Sequence, residues 1–407
     1  MQTAVSSRQP YLDWLRFFAI LGVLFFHAAM AFVAEWSWHI KNKETSKLLL
    51  EFNFWLSRFR MPLLFFISGT VSYFMVQKKS AGSFIKLRFR RLLIPLLFGI
   101  IVIVPPQVYL ERVSQGYTGN YFSFYSKVFE FIPYPKGNFS WHHLWFILYL
   151  FLYDIVFAPV FKYCTGEKGK HFLQKIDFIA QRKRIYLLSI PGIAIYTSLS
   201  LHYPGTNDLI HDWCNLFYWL QFLLIGFLCI ANPLLMDSLE RNRRCSFAIA
   251  FLSIVVINYF RWNNAEPFDN IQNWQTDWRT YAYLSLYPVT AWAWVMMAVG
   301  YGKKHLNRKH KALDYINQAV YPFYILHQTV IVILVFYVVQ VPETIGMKYI
   351  FTVMLTLAMS LSIIHLFIRP NNIARFLFGM KPKPKALPDF EGHVKSQQNE
   401  TICTLQA

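Results

Sequence analysis

The chain has 407 residues, of which 55% are hydrophobic and 15% charged, and its mean hydropathy is +0.31. Soluble domains carry about 25% charged residues, so this composition excludes a string of soluble domains and is typical of a protein that crosses a membrane many times. The net charge of +19 comes from basic clusters between apolar segments, as in cytoplasmic loops, and we expect no nucleic-acid partner.

Apolar segments long enough to cross a bilayer recur along the chain, since a core of about 30 Å requires roughly 17–25 apolar residues per helix. The sequence predicts an all-α, polytopic membrane helix bundle over residues 10–370, followed by a disordered cytoplasmic tail at 380–407. The ten predicted spans lie near 11–33, 54–77, 90–110, 143–163, 185–201, 213–232, 245–262, 279–301, 315–339 and 347–368.

The distribution of basic residues predicts which side of the membrane each loop faces. With both termini inside, 28 of the 40 Lys and Arg residues fall in inner segments and 11 in outer ones. Cytoplasmic loops are enriched in Lys and Arg, so the sequence predicts that the N-terminus and the C-terminus are both cytoplasmic.

The first span, LDWLRFFAILGVLFFH, contains three ionisable residues: Asp13, Arg16 and His27. Eleven residues bring an α-helix back to within about 20° of its starting direction, so Arg16 and His27 share one face, roughly 16 Å apart along the axis. Asp13 precedes Arg16 by three residues and lies close enough to pair with it. Ionisable residues within spans are expensive, and His27 is therefore a candidate proton carrier.

The second and third spans also contain polar residues. Arg60 begins the second span, where Ser68 and Gly69 follow at mid-depth, and a glycine there permits close helix packing. Arg88 and Arg91 share a helix face where the third span begins. Two interpretations stay open for this pair, which are anchoring at the cytoplasmic surface and binding of phosphate oxygens.

Two more histidines fall within spans, His143 in the fourth and His327 in the ninth. Together with His27 they invite the hypothesis of a zinc site. We disfavour it because the three residues have different predicted depths and no HExxH motif or carboxylate-rich helix accompanies them. The five cysteines form no CxxC pair, and we expect neither a metal nor a disulfide framework.

Five short motifs follow one another along the chain. They are Arg-x10-His (Arg16 and His27), FFISG (Phe65 to Gly69), RxxR (Arg88 and Arg91), HLWF (His143 to Phe146) and YILH (Tyr324 to His327). In this order they resemble acyltransferase family 3, whose members are integral membrane proteins that acylate carbohydrates. The resemblance covers roughly residues 10–385, and within the family the chain is most similar to the glucan biosynthesis branch. Thr329 stands where the family usually has proline.

The resemblance implies an O-acyltransferase of the bacterial inner membrane that takes acyl groups from cytoplasmic acyl-CoA, a co-substrate, and needs no bound cofactor. In the glucan branch it implies succinyl transfer to periplasmic glucan. His27 would be catalytic, either as a general base or as a carrier of the acyl group. The other site residues divide into a donor set (Asp13, Arg16, Arg88 and Arg91) and a set that binds the acceptor or orients His27 (Arg60, Ser68, His143 and His327).

Two other functional classes fit a ten-span protein with buried charges. A transporter or exporter of a sugar or a lipid-linked substrate would use the same histidine and arginines for proton coupling or substrate binding. A sensor or scaffold would have no turnover. Labelled acyl-CoA separates these classes, because only an acyltransferase moves the label to protein or glycan.

Overall fold

The computed structural model describes residues 9–383, so the predicted tail lies, beyond Lys383, outside the described residues. Within this range the only β-pairing is one isolated bridge, Pro133 with Phe139, and the predicted all-α class is confirmed. In chain order the helices are α1 (Pro10–Ala29), α2 (Lys47–Gln77), α3 (Ala81–Ser114), α4 (Tyr121–Ser126), α5 (Trp145–Thr165), α6 (Glu167–Lys175), α7 (Arg184–Leu199), α8 (Trp213–Ala231), α9 (Pro233–Trp262), α10 (Pro267–Asn270), α11 (Trp278–His305), α12 (Ala312–Val338), α13 (Ile345–Ile363) and α14 (Asn372–Leu377).

Nine of these helices are long and apolar enough to cross a membrane, judged by length and composition over the described residues. They correspond to nine of the ten predicted spans. The exception is the fifth predicted span, where α7 is an apolar helix that opens with a 3-10 segment, Arg184–Ser189. Short connections with capping side chains begin several helices; Ser46, for example, accepts a hydrogen bond from the Leu49 N–H at the start of α2.

The directions of the helices show that the chain nevertheless returns through the bundle at α7. Helix α8 runs parallel to α2, because Phe65, in the middle of α2, packs on Trp219, and Tyr73, further along α2, packs on Phe227, further along α8. Helix α5 also runs parallel to α2, since Phe65 packs on Phe146, and Ser72, further along α2, is hydrogen-bonded to Asp154, further along α5. Helices α5 and α8 therefore run in the same direction, so the chain must cross back through the bundle between them.

Helix α7 makes that return. Gly192 lies against the side chain of Gln221, and further along α7 Tyr196 packs on Tyr218, which comes earlier in α8. Helix α7 therefore runs antiparallel to α8. Within residues 9–383 the chain thus passes through the bundle ten times, once by a helix shorter than a usual span.

Helix α3 is wound irregularly around its prolines. Two π-helical turns interrupt it, Phe89–Leu93 and Gly99–Ile103, and each is followed within two residues by proline. Proline has no N–H to donate, and a π turn is one way for a helix to absorb that loss. The Tyr125 hydroxyl donates to the Ile101 carbonyl, one of the carbonyls that proline leaves without a backbone donor.

Close backbone contact joins α2 to α8. A Cβ added at Gly69 would lie 1.9 Å from the carbonyl oxygen of Leu223, and one at Gly226 would lie 2.0 Å from that of Phe66. No side chain fits at either position, so the predicted packing role of Gly69 is confirmed. In the bundle, α12 is central, with 83% of its most apolar window buried, while the corresponding windows of α9 and α13 are only 28% buried and face outward.

Both ends of the described chain lie at one end of the bundle. Gly379, with φ +66°, packs against the Arg91 carbonyl and the ring of Tyr321 on α12. One turn before Tyr321, Asn317 contacts Arg16, near the start of α1. We call this the inner end and the opposite one the outer end; that the inner end faces the cytoplasm stays a prediction from the basic residues.

Candidate active site

The centre of the candidate site is a pair of histidines from α1 and α12. His27 Nδ1 lies 2.8 Å from His327 Nε2, and the two rings are stacked with centroids 5.1 Å apart. His327 Nδ1 lies 2.6 Å from the Tyr324 carbonyl oxygen, which can only accept a hydrogen bond. Neutral His327 therefore carries its proton on Nδ1 and accepts at Nε2.

This chain of hydrogen bonds sets the tautomer of His27. Because His327 Nε2 is an acceptor, His27 Nδ1 donates to it, and the lone pair of His27 lies on Nε2. In the part of the chain that the structure describes, no protein group is hydrogen-bonded to this Nε2, and the side chain is half-buried rather than sealed. His27 thus presents a nucleophilic or basic nitrogen from a ring whose orientation is held by a second histidine.

His143 is part of the same cluster. Its Nε2 lies 3.0 Å from the Ile325 carbonyl oxygen, its ring stands edge-on to that of His327 at 5.2 Å, and the Tyr324 hydroxyl donates to its backbone carbonyl. The prediction that His27, His143 and His327 lie at different depths is therefore wrong. The 3-10 turn His142–Leu144, directly before α5, places His143 against the Ile325 carbonyl of α12, beside His327.

This histidine cluster does not resemble a metal site. Among the described residues, no group of three or more His, Cys, Asp or Glu side chains is arranged to hold a metal ion. Two of the imidazoles instead donate to main-chain carbonyls, which orients them as members of a hydrogen-bonded network.

Two further side chains surround His27 with unused hydrogen-bond donors. Trp38 stacks on the His27 ring at 5.5 Å, and the guanidinium carbon of Arg60 lies 3.4 Å from the centre of the neighbouring Phe26 ring. Within residues 9–383, the buried Trp38 Nε1 and Arg60 Nε have no hydrogen-bond partner. Buried donors of this kind normally have partners, so both N–H groups are available to an oxygen acceptor of a ligand.

At the inner end, Arg16 is placed as its sequence position predicts. Its guanidinium donates to Asn317 Oδ1 at 2.5 Å. Arg16 and His27 thus both face α12, one at Asn317 and the other at His327, which confirms that they share a face of α1. Asp13 lies one turn before Arg16 on the same helix, and Arg91 lies half-buried at the inner end of α3.

Arg88 has a partner within the protein. Its Nε lies 2.8 Å from Asp154 Oδ2, and it donates to Ser72 Oγ at 2.7 Å; Ser72 in turn donates to Asp154 Oδ1 at 2.7 Å. All three side chains are buried. These contacts hold the Arg88 guanidinium inside the bundle, whereas Arg91, with which the sequence grouped it, is half-buried.

Ser68 bonds within its own helix, donating to the Leu64 carbonyl at 2.8 Å, and is half-buried. Thr329, the residue that departs from the family pattern, is bonded to α3: it donates to the Ile103 carbonyl and accepts from Gln107, both at 2.7 Å. The hydroxyl thereby joins α12 to α3 beside the histidine cluster.

At the outer end lies a polar cluster that sequence reasoning missed. His39, in the loop after α1, donates a buried hydrogen bond from Nδ1 to the Glu111 carboxylate near the end of α3. Tyr134 donates to the other carboxylate oxygen at 2.7 Å. Burial, together with this hydrogen bond, raises the pKa of the Tyr134 phenol, so it remains a donor at neutral pH. The only sequence signal was a histidine and a glutamate at the outer ends of two spans.

The chain is similar to known proteins over most of its length. The sequence profile of the acyltransferase domain family matches residues 9–369. The glucans biosynthesis protein C of Escherichia coli O1:K1 is 24% identical over 342 residues, which cover 80% of this chain and 83% of that protein. The protein of the same name from Shigella dysenteriae serotype 1 has the same identity and coverage, and that of Salmonella paratyphi B is 26% identical over 63% of this chain and 68% of its own. No solved structure matches the chain.

Proposed function

The chain belongs to the acyltransferase domain family, acyltransferase family 3, and from this premise we propose that it transfers an acyl group from acyl-CoA to a hydroxyl of a carbohydrate on the opposite face of the membrane. That it is a multi-pass membrane acyltransferase follows from the family and the nine apolar helices. The donor, the acyl group and the acceptor are our proposal: cytoplasmic acyl-CoA, succinyl and a periplasmic glucan, in the bacterial inner membrane.

The observation that carries the proposal is the open Nε2 of His27. A base or nucleophile needs its lone pair directed away from its own hydrogen-bond partner, and His327 fixes the His27 ring in that tautomer. The chemistry proposed is attack of Nε2 on the thioester carbonyl carbon. The carbon–sulfur bond breaks, CoA leaves as a thiolate, and the Nδ1 proton of His27 moves to His327 Nε2.

The inner end suits the polar half of the donor. Arg16 lies roughly 16 Å from His27 along α1, so the two residues cannot act on one carbonyl carbon. In our proposal Arg16, held by Asn317, and Arg91 bind anionic oxygens of CoA, while its thin arm extends among the helices toward His27. Asp13 is assigned to positioning Arg16, and Arg88 to its ion pair with Asp154.

The choice of succinyl rests on two observations. Relatives are named for glucan biosynthesis, the process that the resemblance connects with succinylation. In addition, Arg60 stacks on Phe26, the residue before His27, and its Nε has no partner among the described residues. A guanidinium suits the distal carboxylate of a succinyl group, since it binds carboxylates in a bidentate manner. In the same proposal Ser68 and His143 shape the acceptor side.

The proposal is tested with inverted membrane vesicles that contain the protein, radiolabelled succinyl-CoA outside and glucose oligosaccharides inside. We expect label in the oligosaccharide with the wild type and none with His27→Ala. His365→Ala is the matched control, because that histidine is exposed at the inner end of α13. Label that stays on CoA with the wild type would favour an exporter or a scaffold, and transfer by His27→Ala at the wild-type rate would contradict the catalytic role.

A further inference from the structure

A second imidazole at the outer end has the geometry of a general base. We propose that His39 takes the proton from the acceptor hydroxyl, and that Glu111 is the positioning residue that orients His39; this inference rests on the proposed function. The two histidines of the reaction would then divide the work: His27 receives the acyl group and His39 activates its acceptor.

The hydrogen bonds of His39 set its tautomer. Its Nδ1 is bonded to the Glu111 carboxylate, which only accepts, so Nδ1 carries the proton and the lone pair lies on Nε2. The Gln328 amide nitrogen lies 3.3 Å from that Nε2 and also donates to Gln107 Oε1 at 3.0 Å. The bond to Nε2 is long, and it marks the direction from which a hydroxyl would donate.

The two histidines differ in the group that accepts the hydrogen bond from Nδ1. Behind His39 is a carboxylate that accepts from Tyr134 at 2.7 Å and from Gln115 at 3.3 Å, so it stays in place as an anion. An anion behind an imidazole stabilises the imidazolium that forms when the ring accepts a proton. Behind His27 is the neutral ring of His327, which provides no such stabilisation. His39 is therefore better suited to proton abstraction than His27.

The two imidazoles contact the same indole. Trp38 stacks on His27 at 5.5 Å and stands edge-on to His39 at 5.1 Å. The Trp38 Nε1 is buried without a partner among the described residues, and so is Nε2 of His142, whose ring is 4.6 Å from that of His39. Unsatisfied polar atoms beside two oriented imidazoles suit a hydroxyl-rich ligand.

The acceptor hydroxyl oxygen bonds to the carbonyl carbon of the acyl group on His27 Nε2, and His39 Nε2 takes the hydroxyl proton. The carbon–nitrogen bond breaks, and His327 returns a proton to His27 Nδ1. The products are an ester and neutral His27; His39 then releases its proton to water at the outer end.

The test uses an acceptor that does not need a base. Hydroxylamine is an unprotonated nucleophile at neutral pH, so it takes an acyl group without general-base help, whereas a sugar hydroxyl needs that help. In vesicles with the full-length protein, we expect His39→Gln to lose roughly 100-fold or more in transfer to glucose oligosaccharide. Hydroxamate formation, corrected for His27→Ala vesicles, and the KM for acyl-CoA should stay within about twofold of the wild type, as expected when only the acceptor step depends on the base.

Glu111→Gln keeps the shape of the side chain but removes the anion, and we expect the same split between acceptors with a smaller loss. Glu111→Asp should restore part of the sugar transfer. The matched controls His365→Gln and Glu343→Gln, both at exposed positions, should leave both reactions unchanged.

The outcomes separate two kinds of failure. If the wild type transfers label to neither acceptor, the proposed function is wrong. If the wild type acylates sugar and His39→Gln does so at the same rate, or if His39→Gln and Glu111→Gln lose both reactions in proportion, His39 is not the acceptor base and the inference is overturned.

Discussion

His27 Nδ1 and His327 Nε2 are 2.8 Å apart, although 300 residues separate them in the chain. Arg16 contacts Asn317 at the inner end of the same two helices, so α1 and α12 run parallel. Helix α12 therefore supports both the chemical and the donor-binding end of α1.

Removing the imidazole behind His27 should slow the chemistry without weakening donor binding. We expect His327→Ala to lower kcat by roughly 100-fold, because the His27 ring loses the acceptor that fixes its tautomer. His327→Gln, whose amide oxygen can accept from Nδ1, should retain more activity. Steady-state kinetics in proteoliposomes measure both; a rise in the KM for acyl-CoA with unchanged kcat would instead assign His327 to donor binding.

Changing the partner of Arg16 should affect the donor. Asn317→Asp places a carboxylate where Arg16 now donates to an amide oxygen. The new ion pair would compete with donor phosphates, and we expect the KM for acyl-CoA to rise roughly 10-fold or more, the size of a lost charged hydrogen bond. Asn317→Ala should have a smaller effect. An unchanged KM in Asn317→Asp would contradict donor binding by Arg16.

The ion pair between Arg88 and Asp154 should matter for stability. Arg88→Ala leaves a buried carboxylate without its cation, which costs about 3–5 kcal/mol. Arg88→Met combined with Asp154→Leu removes both charges and should recover most of the lost stability. Thermal unfolding in detergent measures this.

Arg91→Ala, by contrast, should raise the KM for acyl-CoA with a normal unfolding temperature. If the stable Arg88→Met, Asp154→Leu double variant also had a raised KM for acyl-CoA, Arg88 would be assigned to the donor site.

Arg60 should determine which acyl group is accepted. If its guanidinium binds the distal carboxylate of succinyl, Arg60→Gln should lower kcat/KM for succinyl-CoA by roughly 10- to 100-fold, the value of a charged hydrogen bond, and leave acetyl-CoA almost unaffected. The measurement is the ratio of the two kcat/KM values. An equal loss with both donors would show that Arg60 acts on the thioester oxygen instead.

The contact between α2 and α8 should not tolerate a methyl group. In Gly69→Ala the new Cβ would meet the Leu223 backbone, so the helices must separate, and we expect a loss of about 1–3 kcal/mol from overpacking. Gly82→Ala is the matched control, since no atom lies within 4 Å of its Cβ position. Equal unfolding temperatures for the two variants would contradict the packing role.

Much of the architecture could be predicted because a membrane span is recognised from its local composition. Nine of ten spans and the all-α class follow from runs of apolar residues, and helix periodicity placed Arg16 and His27 on one face. The tenth pass required the structure: α7 is short, and only the parallel directions of α5 and α8 show that the chain returns through it.

The site was predicted in part. His27, His327 and His143 were singled out because ionisable residues within spans are costly, but their common level was missed, since sequence spacing does not determine how helices are aligned along their axes. Arg88 was grouped with Arg91 by spacing alone. Its buried partner, Asp154, lies on another helix, 66 positions away, and nothing local in the sequence connects the two.

The sequence by itself determined the class of protein, the membrane spans and the layout of α1, because hydrophobicity and helical periodicity are local properties. Only the tertiary structure decided which nitrogen of His27 carries the lone pair, that Arg88 is paired with Asp154, and that His39 is hydrogen-bonded to Glu111. Each of these depends on hydrogen bonds between residues far apart in the chain, and such bonds form only when packing brings their helices together.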